Sequence, residues 1–331
     1  MAVDSSRTAV VAALVGNTIV AIAKFVAFFV TGSGAMLSEG IHTVADVMNQ
    51  VLLLIGIERS KQAPDKEFEY GYGQERFVWA LISAVGIFFL GCGVTMYHGV
   101  SSLINPHPVT DIGWAVWVLI GALIIEGYVL YVAANGLMKQ RGELPFWTYV
   151  RERADPSAVA VLLEDAAACF GCIIALVAIL LVDITGETYW DAIGSLAVGT
   201  LLGFVALWLI ARNRTLLIGA TVPADARARI RQVLKRHQSV EEVVEFKSKM
   251  LDTETYDVLL TIEFEGRRIA ERLRDKLEAA YPNIQDLDGF VRHAGEFADD
   301  VIQELGDEID ALEKEIKEAV PQVKIIDIEP N

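Results

Sequence analysis

Six long apolar runs dominate the first two thirds of this 331-residue chain. Each run has about 22 to 27 residues, and a helix needs about 20 apolar residues to cross the hydrocarbon core of a bilayer. A hydrophobic fraction of 53% with only 22% charged residues excludes an ordinary soluble chain. The pattern predicts a polytopic α-helical membrane protein with six transmembrane helices, near residues 8–31, 35–57, 77–103, 112–138, 158–182 and 189–211.

Basic residues are confined to alternate connections between these runs. The connections after the first, third and fifth runs have no Lys or Arg, whereas those after the second, fourth and sixth contain several. By the positive-inside rule, the basic ends face the cytosol. We therefore expect a multi-pass protein of the bacterial inner membrane with both termini in the cytosol. The first seven residues are too short and too acidic to begin a signal peptide, so we expect none.

The last third has the pattern of a small soluble domain. We divide the chain into a transmembrane domain at 1–213 and a cytosolic α+β domain at 214–331. Apolar spacing and β-branched runs predict its elements. They are a helix at 223–237, strands at 240–250 and 256–264, charged helices at 267–280 and 294–319 separated by Pro282 and Gly289, and a strand at 323–328. The acidic run at 295–318 is interpreted as a solvated helix face rather than a metal site.

The charge of the chain limits its partners. The formal net charge is −16, and the segment 214–331 alone has 17 Lys and Arg against 26 Asp and Glu. Nucleic acid, which requires a basic surface, is excluded as a partner. A cation is a suitable partner for such a chain. The three cysteines lie inside apolar runs and predict no disulfide framework.

Polar side chains follow one face of the second predicted span. They occur at steps of three or four residues, which places them on one helical stripe; they are Glu39, His42, Asp46, Asn49 and Gln50. An ionised side chain at bilayer depth costs at least ~2.5 kcal/mol, so each one requires a function. His42 and Asp46 lie one turn apart and can both bind one divalent cation.

The fifth predicted span contains a second group of candidate ligands. Glu164 and Asp165 are adjacent, and Cys169 follows one turn later. Adjacent residues point about 100° apart on a helix, so we expect only one of the two carboxylates to face the second span. Two interpretations stay open at this point, a metal site and a proton-sharing contact between helices. The sulfur of Cys169 is a soft metal ligand by type. The apolar residues around Cys169 in the sequence favour a packing role instead.

Lys24 in the first predicted span and Glu126 in the fourth are a further charged pair. They are interpreted either as a buried ion pair that fixes helix packing or as a relay for protons.

Three local motifs resemble one family of membrane proteins. Residues 35–46 have the sequence AMLSEGIHTVAD, Pro64 and Asp65 precede YGYG at 70–73, and residues 162–165 are LLED. Together with the six spans, they resemble the cation diffusion facilitators, the zinc transporter family. The last motif is similar to the zinc transporter nine branch.

The resemblance implies a homodimeric zinc/proton antiporter that moves Zn²⁺ out of the cytosol, with the metal as substrate and no cofactor. It implies metal ligation by His42, Asp46 and Asp165. The fourth family position is Val161, which cannot bind metal, so Glu164 is expected to substitute. Other departures are Phe68 and Tyr72, where the family often has histidines, and a helical insertion near 267–293 in the dimerisation domain.

Other functions remain open from the sequence. An exporter of manganese, iron or cobalt and a metal-sensing membrane protein that binds without transporting both fit the same residues. No enzyme is expected, because the chain has no nucleophile motif and no glycine-rich phosphate loop.

Overall fold

The computed structural model describes residues 2–31, 34–105, 112–252 and 254–331. Within these ranges it describes every side chain except those of residues 2–6, 9, 27, 28, 30, 31 and 34–42. The chain divides into two compact units, Met1–Ile218 and Gly219–Asn331.

The first unit is entirely helical where it is described. Its helices are α1 (Ala2–Thr31), α2 (Gly34–Arg59), α3 (Glu75–Ile104), α4 (Ile112–Gln140), the short α5 (Phe146–Glu152), α6 (Pro156–Thr185) and α7 (Tyr189–Ile218). Among the described residues, α3, α4, α6 and α7 are long and apolar enough to cross a membrane, and α1 has a shorter apolar segment, Val10–Val26. The unit is therefore a helical membrane domain, and six spans stay a prediction.

Local sequence signals define both ends of α6. Asp155 is the N-cap, because its Oδ1 accepts hydrogen bonds from the backbone N–H groups of Ser157 at 2.8 Å and Ala158 at 3.2 Å. Pro156 follows at the first helical position, where a missing N–H costs nothing. Gly186 ends the helix at φ 74°, a left-handed conformation that glycine adopts readily. These signals fix the position of the candidate ligands along α6.

Close packing of α3 against α7 depends on small residues. A Cβ atom at Gly199 would lie 2.9 Å from Met96 Cγ, and one at Gly203 would lie 3.0 Å from Cys92 Sγ. The glycines therefore let the two backbones approach, as is common between helices in membranes. The contact lies at and beyond a π-helical segment of α3, Ile87–Gly93.

The second unit is a three-stranded sheet with helices. Its elements are α8 (Ala224–Arg236), β1 (Val240–Met250), β2 (Tyr256–Phe264), α9 (Gly266–Arg272), α10 (Arg274–Ala280), α11 (Leu287–Ala319) and β3 (Val323–Pro330). The strand order is β1-β2-β3, with β1 and β2 antiparallel and β2 and β3 parallel. Alternate residues of β2 are buried with Ile230 of α8 and Leu312 of α11, so the unit has its own apolar core.

Two predictions about the charged helices of this unit are wrong. The segment 267–280 forms two short helices, and α11 begins at Leu287 rather than near 294. Asp286 caps α11 by accepting a hydrogen bond from the N–H of Gly289 at 2.7 Å, so Gly289 lies in the first turn and separates nothing.

Glu308 is an exception to the predicted solvated face of α11. It is buried and accepts hydrogen bonds from Ser239 and from the guanidinium of Arg272. Burial alone would raise the pKa of Glu308, but these hydrogen bonds and the nearby charges of Arg272 and His237 hold the pKa below its usual value. The carboxylate is therefore a structural link between α11, α9 and the start of β1.

Candidate metal centre

The polar stripe of α2 is buried where its side chains are described. Thr43, Asp46, Asn49 and Gln50 are each at most 9% exposed. Their spacing of three and four residues keeps them on neighbouring turns of one helix face. The side chains of His42, a predicted ligand, and Glu39, a predicted lining residue, lie outside the described part of the chain, although the backbone of both belongs to α2.

The polar residues of α6 are buried as well. Glu164 is 4% exposed and Asp165 is 1% exposed, and Cys169 and Cys172 are also buried. Val161, one turn before Asp165, is fully buried and offers no ligand atom. Two adjacent carboxylates in the interior of a helical membrane domain require compensation from their surroundings.

The structure brings the two groups together. Asn49 Nδ2 donates a hydrogen bond to Glu164 Oε1 at 3.3 Å, which joins α2 directly to α6. Asp46 lies close enough to interact electrostatically with both Glu164 and Asp165. The three carboxylates therefore lie near one another in the buried region between the two helices. The expectation that only one of the adjacent pair faces α2 stays a prediction.

Several buried polar atoms in this region have no hydrogen-bond partner within the described part of the chain. They are Glu164 Oε2, Asp165 Oδ2 and both amide atoms of Gln50. A buried carboxylate oxygen without a partner is costly, and a divalent cation or a proton removes that cost. Among the described residues, no group of three or more His, Cys, Asp or Glu side chains is arranged so that it could hold a metal ion.

A second polar network lies beside these carboxylates. Lys24 Nζ donates a hydrogen bond to Thr43 Oγ1 at 2.9 Å and lies 4.0 Å from Glu126 Oε1. Cys172 Sγ donates to Glu126 Oε2 at 3.2 Å. Lys24 and Glu126 are therefore a buried ion pair that ties α1, α2, α4 and α6 together. Glu126 also interacts electrostatically with Asp165, so this network and the candidate centre are coupled.

The loop between α2 and α3 folds around Asp65. Its carboxylate accepts hydrogen bonds from the backbone N–H groups of Phe68 and Glu67, both at 2.8 Å, and from the Tyr72 hydroxyl at 2.7 Å. These bonds lower the pKa of Asp65, and the bond to Asp65 raises the pKa of Tyr72. Phe68 therefore holds the loop through its backbone N–H and Tyr72 through its hydroxyl, and neither side chain is a good metal ligand.

Sequence analysis missed one buried ion pair near this loop. Arg76 in the first turn of α3 pairs with Asp155, the N-cap of α6, and both side chains are at most 5% exposed. The sequence does contain a signal, because Asp155 before Pro156 and Ser157 is an N-cap pattern. Nothing in the sequence indicates its partner, which lies 79 residues earlier.

Comparison with known proteins identifies the family. The cation efflux transmembrane domain matches residues 10–218. A human protein named proton-coupled zinc antiporter SLC30A9, mitochondrial, is 38% identical over 316 residues, which cover 92% of this chain and 55% of the human protein. Metal tolerance protein C4 of Arabidopsis thaliana is 36% identical over 98% of this chain and 73% of its own length.

These matches confirm the family that the motifs predict. The domain match covers more than half of the chain, and both relatives are aligned well beyond it into the second unit. This chain nevertheless spans only about half the length of the human relative. The chain belongs to the cation efflux family, the cation diffusion facilitators.

Proposed function

We propose that this chain is a proton-coupled exporter of divalent metal ions and that zinc is the ion it moves. One observation carries the proposal, the burial of Asp46, Glu164 and Asp165 together between two helices of a cation efflux domain. A divalent cation would compensate this concentrated negative charge, which lipid cannot. The name of the human relative, a proton-coupled zinc antiporter, supports the same assignment.

The ligand set favours zinc. Zn²⁺ is usually four-coordinate and binds imidazole nitrogen and carboxylate oxygen. His42 lies one turn before Asp46 and would supply the nitrogen, while Asp46 and Asp165 supply oxygens. Glu164 takes the place of the ligand that Val161 cannot provide. A nitrogen ligand disfavours Mn²⁺ and Mg²⁺, which prefer all-oxygen sites.

Competition at this site couples the two ions. Metal binding requires a neutral imidazole and ionised carboxylates, so protons and metal exclude each other. Metal displaces protons when the site opens to the cytosol. When the site opens to a more acidic compartment, protonation of His42 and a carboxylate releases the metal. Glu126 and Lys24 lie beside the carboxylates, and their charges set the local field in which this exchange occurs.

The assembly follows from the arrangement of charge along the chain. We propose six spans with both termini in the cytosol, because the basic connections follow the second, fourth and sixth predicted spans. The second unit has its own core and is proposed to dimerise. The bacterial inner membrane is the proposed location, and a membrane with a proton gradient is what the coupling requires.

Uptake into proteoliposomes tests this function. Purified protein is reconstituted into vesicles with an acidic lumen, and external Zn²⁺, Mn²⁺, Co²⁺ and Fe²⁺ are offered separately. We expect zinc to accumulate fastest, and the rate to fall when an ionophore collapses the proton gradient. Faster uptake of another metal would assign that metal as the substrate instead. Zinc binding without uptake of any metal would contradict transport and favour a metal-sensing protein.

A further inference from the structure

The ion pair between Arg76 and Asp155 lies outside the candidate metal centre. Both side chains are almost fully buried. Burying two charges is costly, and a well-packed apolar pair of similar volume often stabilises a protein as well or better. A charged pair in this position therefore indicates a role that depends on directional bonds and not on packing alone.

Arg76 also contacts the end of α2. Its Nη2 donates a hydrogen bond at 3.2 Å to the Oγ of Ser60, the residue that follows α2. Ser60 Oγ in turn donates to the carbonyl oxygen of Ile57 at 2.9 Å, which fixes the hydroxyl on the last turn of the helix. One guanidinium thus bridges the C-terminal end of α2 and the N-terminal end of α6.

A second arginine supports the same end of α6. Arg212 of α7 donates a hydrogen bond to the carbonyl oxygen of Ala154 at 2.6 Å. Its guanidinium also lies over the ring of Trp208, 5.6 Å from the centroid. The residues just before α6 are therefore held from α3 by a charge pair and from α7 by a backbone contact, which leaves this end little freedom to shift.

The two bridged helices are the ones that carry the carboxylates. Asp165 lies about three turns along α6 from Asp155, and Asp46 lies about four turns back along α2 from Ser60. A helix moves nearly as a rigid body over such lengths, so a shift or rotation at the bridged ends changes how these carboxylates face each other.

We propose that Arg76 is a positioning residue for the metal centre. By holding Ser60 and Asp155 together, it sets the spacing and rotation of α2 relative to α6, and thereby the distance between Asp46 and the acidic pair of α6. Arg76 bonds to Asp155 and Ser60, and neither of these is a proposed ligand. The inference rests on the proposed function, because it assumes that these carboxylates bind the transported ion.

Two substitutions remove the bridge in different ways. Asp155→Asn keeps the helix cap, because Asn is as good an N-cap as Asp, but it removes the negative charge. Arg76→Gln removes the positive charge and leaves the cap untouched. Arg76→Lys keeps the charge and serves as the conservative variant. Arg151→Gln, which neutralises an exposed cation on α5, is the matched control.

The readouts are zinc affinity, measured by calorimetry on the full-length purified protein, and the KM and maximal rate of zinc uptake. Residues that orient metal ligands without binding the metal typically contribute 10- to 100-fold in affinity, so we expect the zinc Kd and KM to rise ~10-fold in both Arg76→Gln and Asp155→Asn. The maximal rate should change less than KM. Arg76→Lys should recover most of the affinity, and Arg151→Gln should match the wild type.

A purely structural pair would give another result. If both charge-removing variants are folded and bind zinc with the wild-type Kd, Arg76 does not position the site. If one of them does not fold, the Kd of the other decides in the same way. A wild-type protein that neither binds nor transports zinc would contradict the proposed function itself, which separates that failure from this one.

Discussion

Asp46 and Asp165 lie buried on two different helices and interact electrostatically. We expect Asp46→Ala and Asp165→Ala each to abolish zinc uptake while expression stays near normal, because removing one of several crowded carboxylates relieves repulsion in the protein without metal. Asp183→Asn, an exposed acid on the same helix as Asp165, is the matched control for uptake by proteoliposomes. Wild-type uptake in either alanine variant would remove that residue from the proposed site.

Glu164 and Cys169 differ in how they can contribute to metal binding. Glu164 is hydrogen-bonded to Asn49 of α2 and has a second oxygen without a described partner, whereas a thiol in apolar surroundings stays protonated and inert. We therefore expect Glu164→Gln to weaken zinc binding by about 10-fold or more and Cys169→Ala to change it little. Calorimetric titration of both variants compares them, and a larger loss for Cys169→Ala would reverse this ranking.

His42 is the only nitrogen ligand in the proposed set. His42→Asp keeps a competent site but removes that nitrogen and adds a negative charge, so preference should move from Zn²⁺ toward Mn²⁺. The ratio of zinc to manganese affinity in each protein is the measurement. An equal ratio in both would show that His42 does not set selectivity.

At the residue scale, the sequence predicts which side chains are costly in a membrane but not how they meet. The stripe on α2 follows from helical periodicity, and the acidic pair on α6 stands out in an apolar run. The bond from Asn49 to Glu164 joins residues 115 positions apart, and no local pattern specifies such a contact. Adjacent residues point in different directions, yet Glu164 and Asp165 both interact electrostatically with Asp46, because a Coulomb interaction does not require two side chains to point at each other.

Among the elements, α11 offers a test through Glu308. The folded-state pKa of Glu308 is lowered, so the ionised carboxylate stabilises the fold above its unfolded pKa of about 4.3, and this stability is lost as the pH falls through the folded pKa. Glu308→Gln should therefore lower the stability of the second unit by about 1–3 kcal/mol at neutral pH.

The difference between Glu308→Gln and wild type should shrink below about pH 4, where the wild-type carboxylate also becomes neutral. Thermal unfolding across this pH range gives the measurement, and Glu318→Gln, an exposed acid on the same helix, is the control. A constant difference at all pH values would mean that the charge of Glu308 does not stabilise the fold.

The elements themselves were predictable to different degrees. β1 and β2 match their predicted bounds, because β-branched residues and the turn between them are local signals. The start of α11 was missed because Gly289 was interpreted as a break, whereas the cap at Asp286 makes glycine acceptable in the first turn. A cap of this kind is decided by side-chain geometry, and composition alone does not reveal it.

For the whole molecule, the division into two units has a direct consequence. Residues 219–331 have their own apolar core, so we expect this segment to fold alone and to dimerise without bound metal. Circular dichroism and sedimentation equilibrium of the purified segment test both expectations. Stoichiometric zinc retained after dialysis would contradict the expectation that the segment dimerises without bound metal. A monomer at all concentrations would contradict the expectation that it dimerises.

The coupling of zinc to protons is tested most directly by simultaneous recording of both ions in the same proteoliposomes. Vesicles with an acidic lumen contain a zinc dye and a pH dye, and zinc is added outside. We expect zinc entry to raise the luminal pH in proportion to the zinc taken up, and Asp46→Ala vesicles to show neither signal. Zinc entry with no change in luminal pH under the same conditions would contradict it.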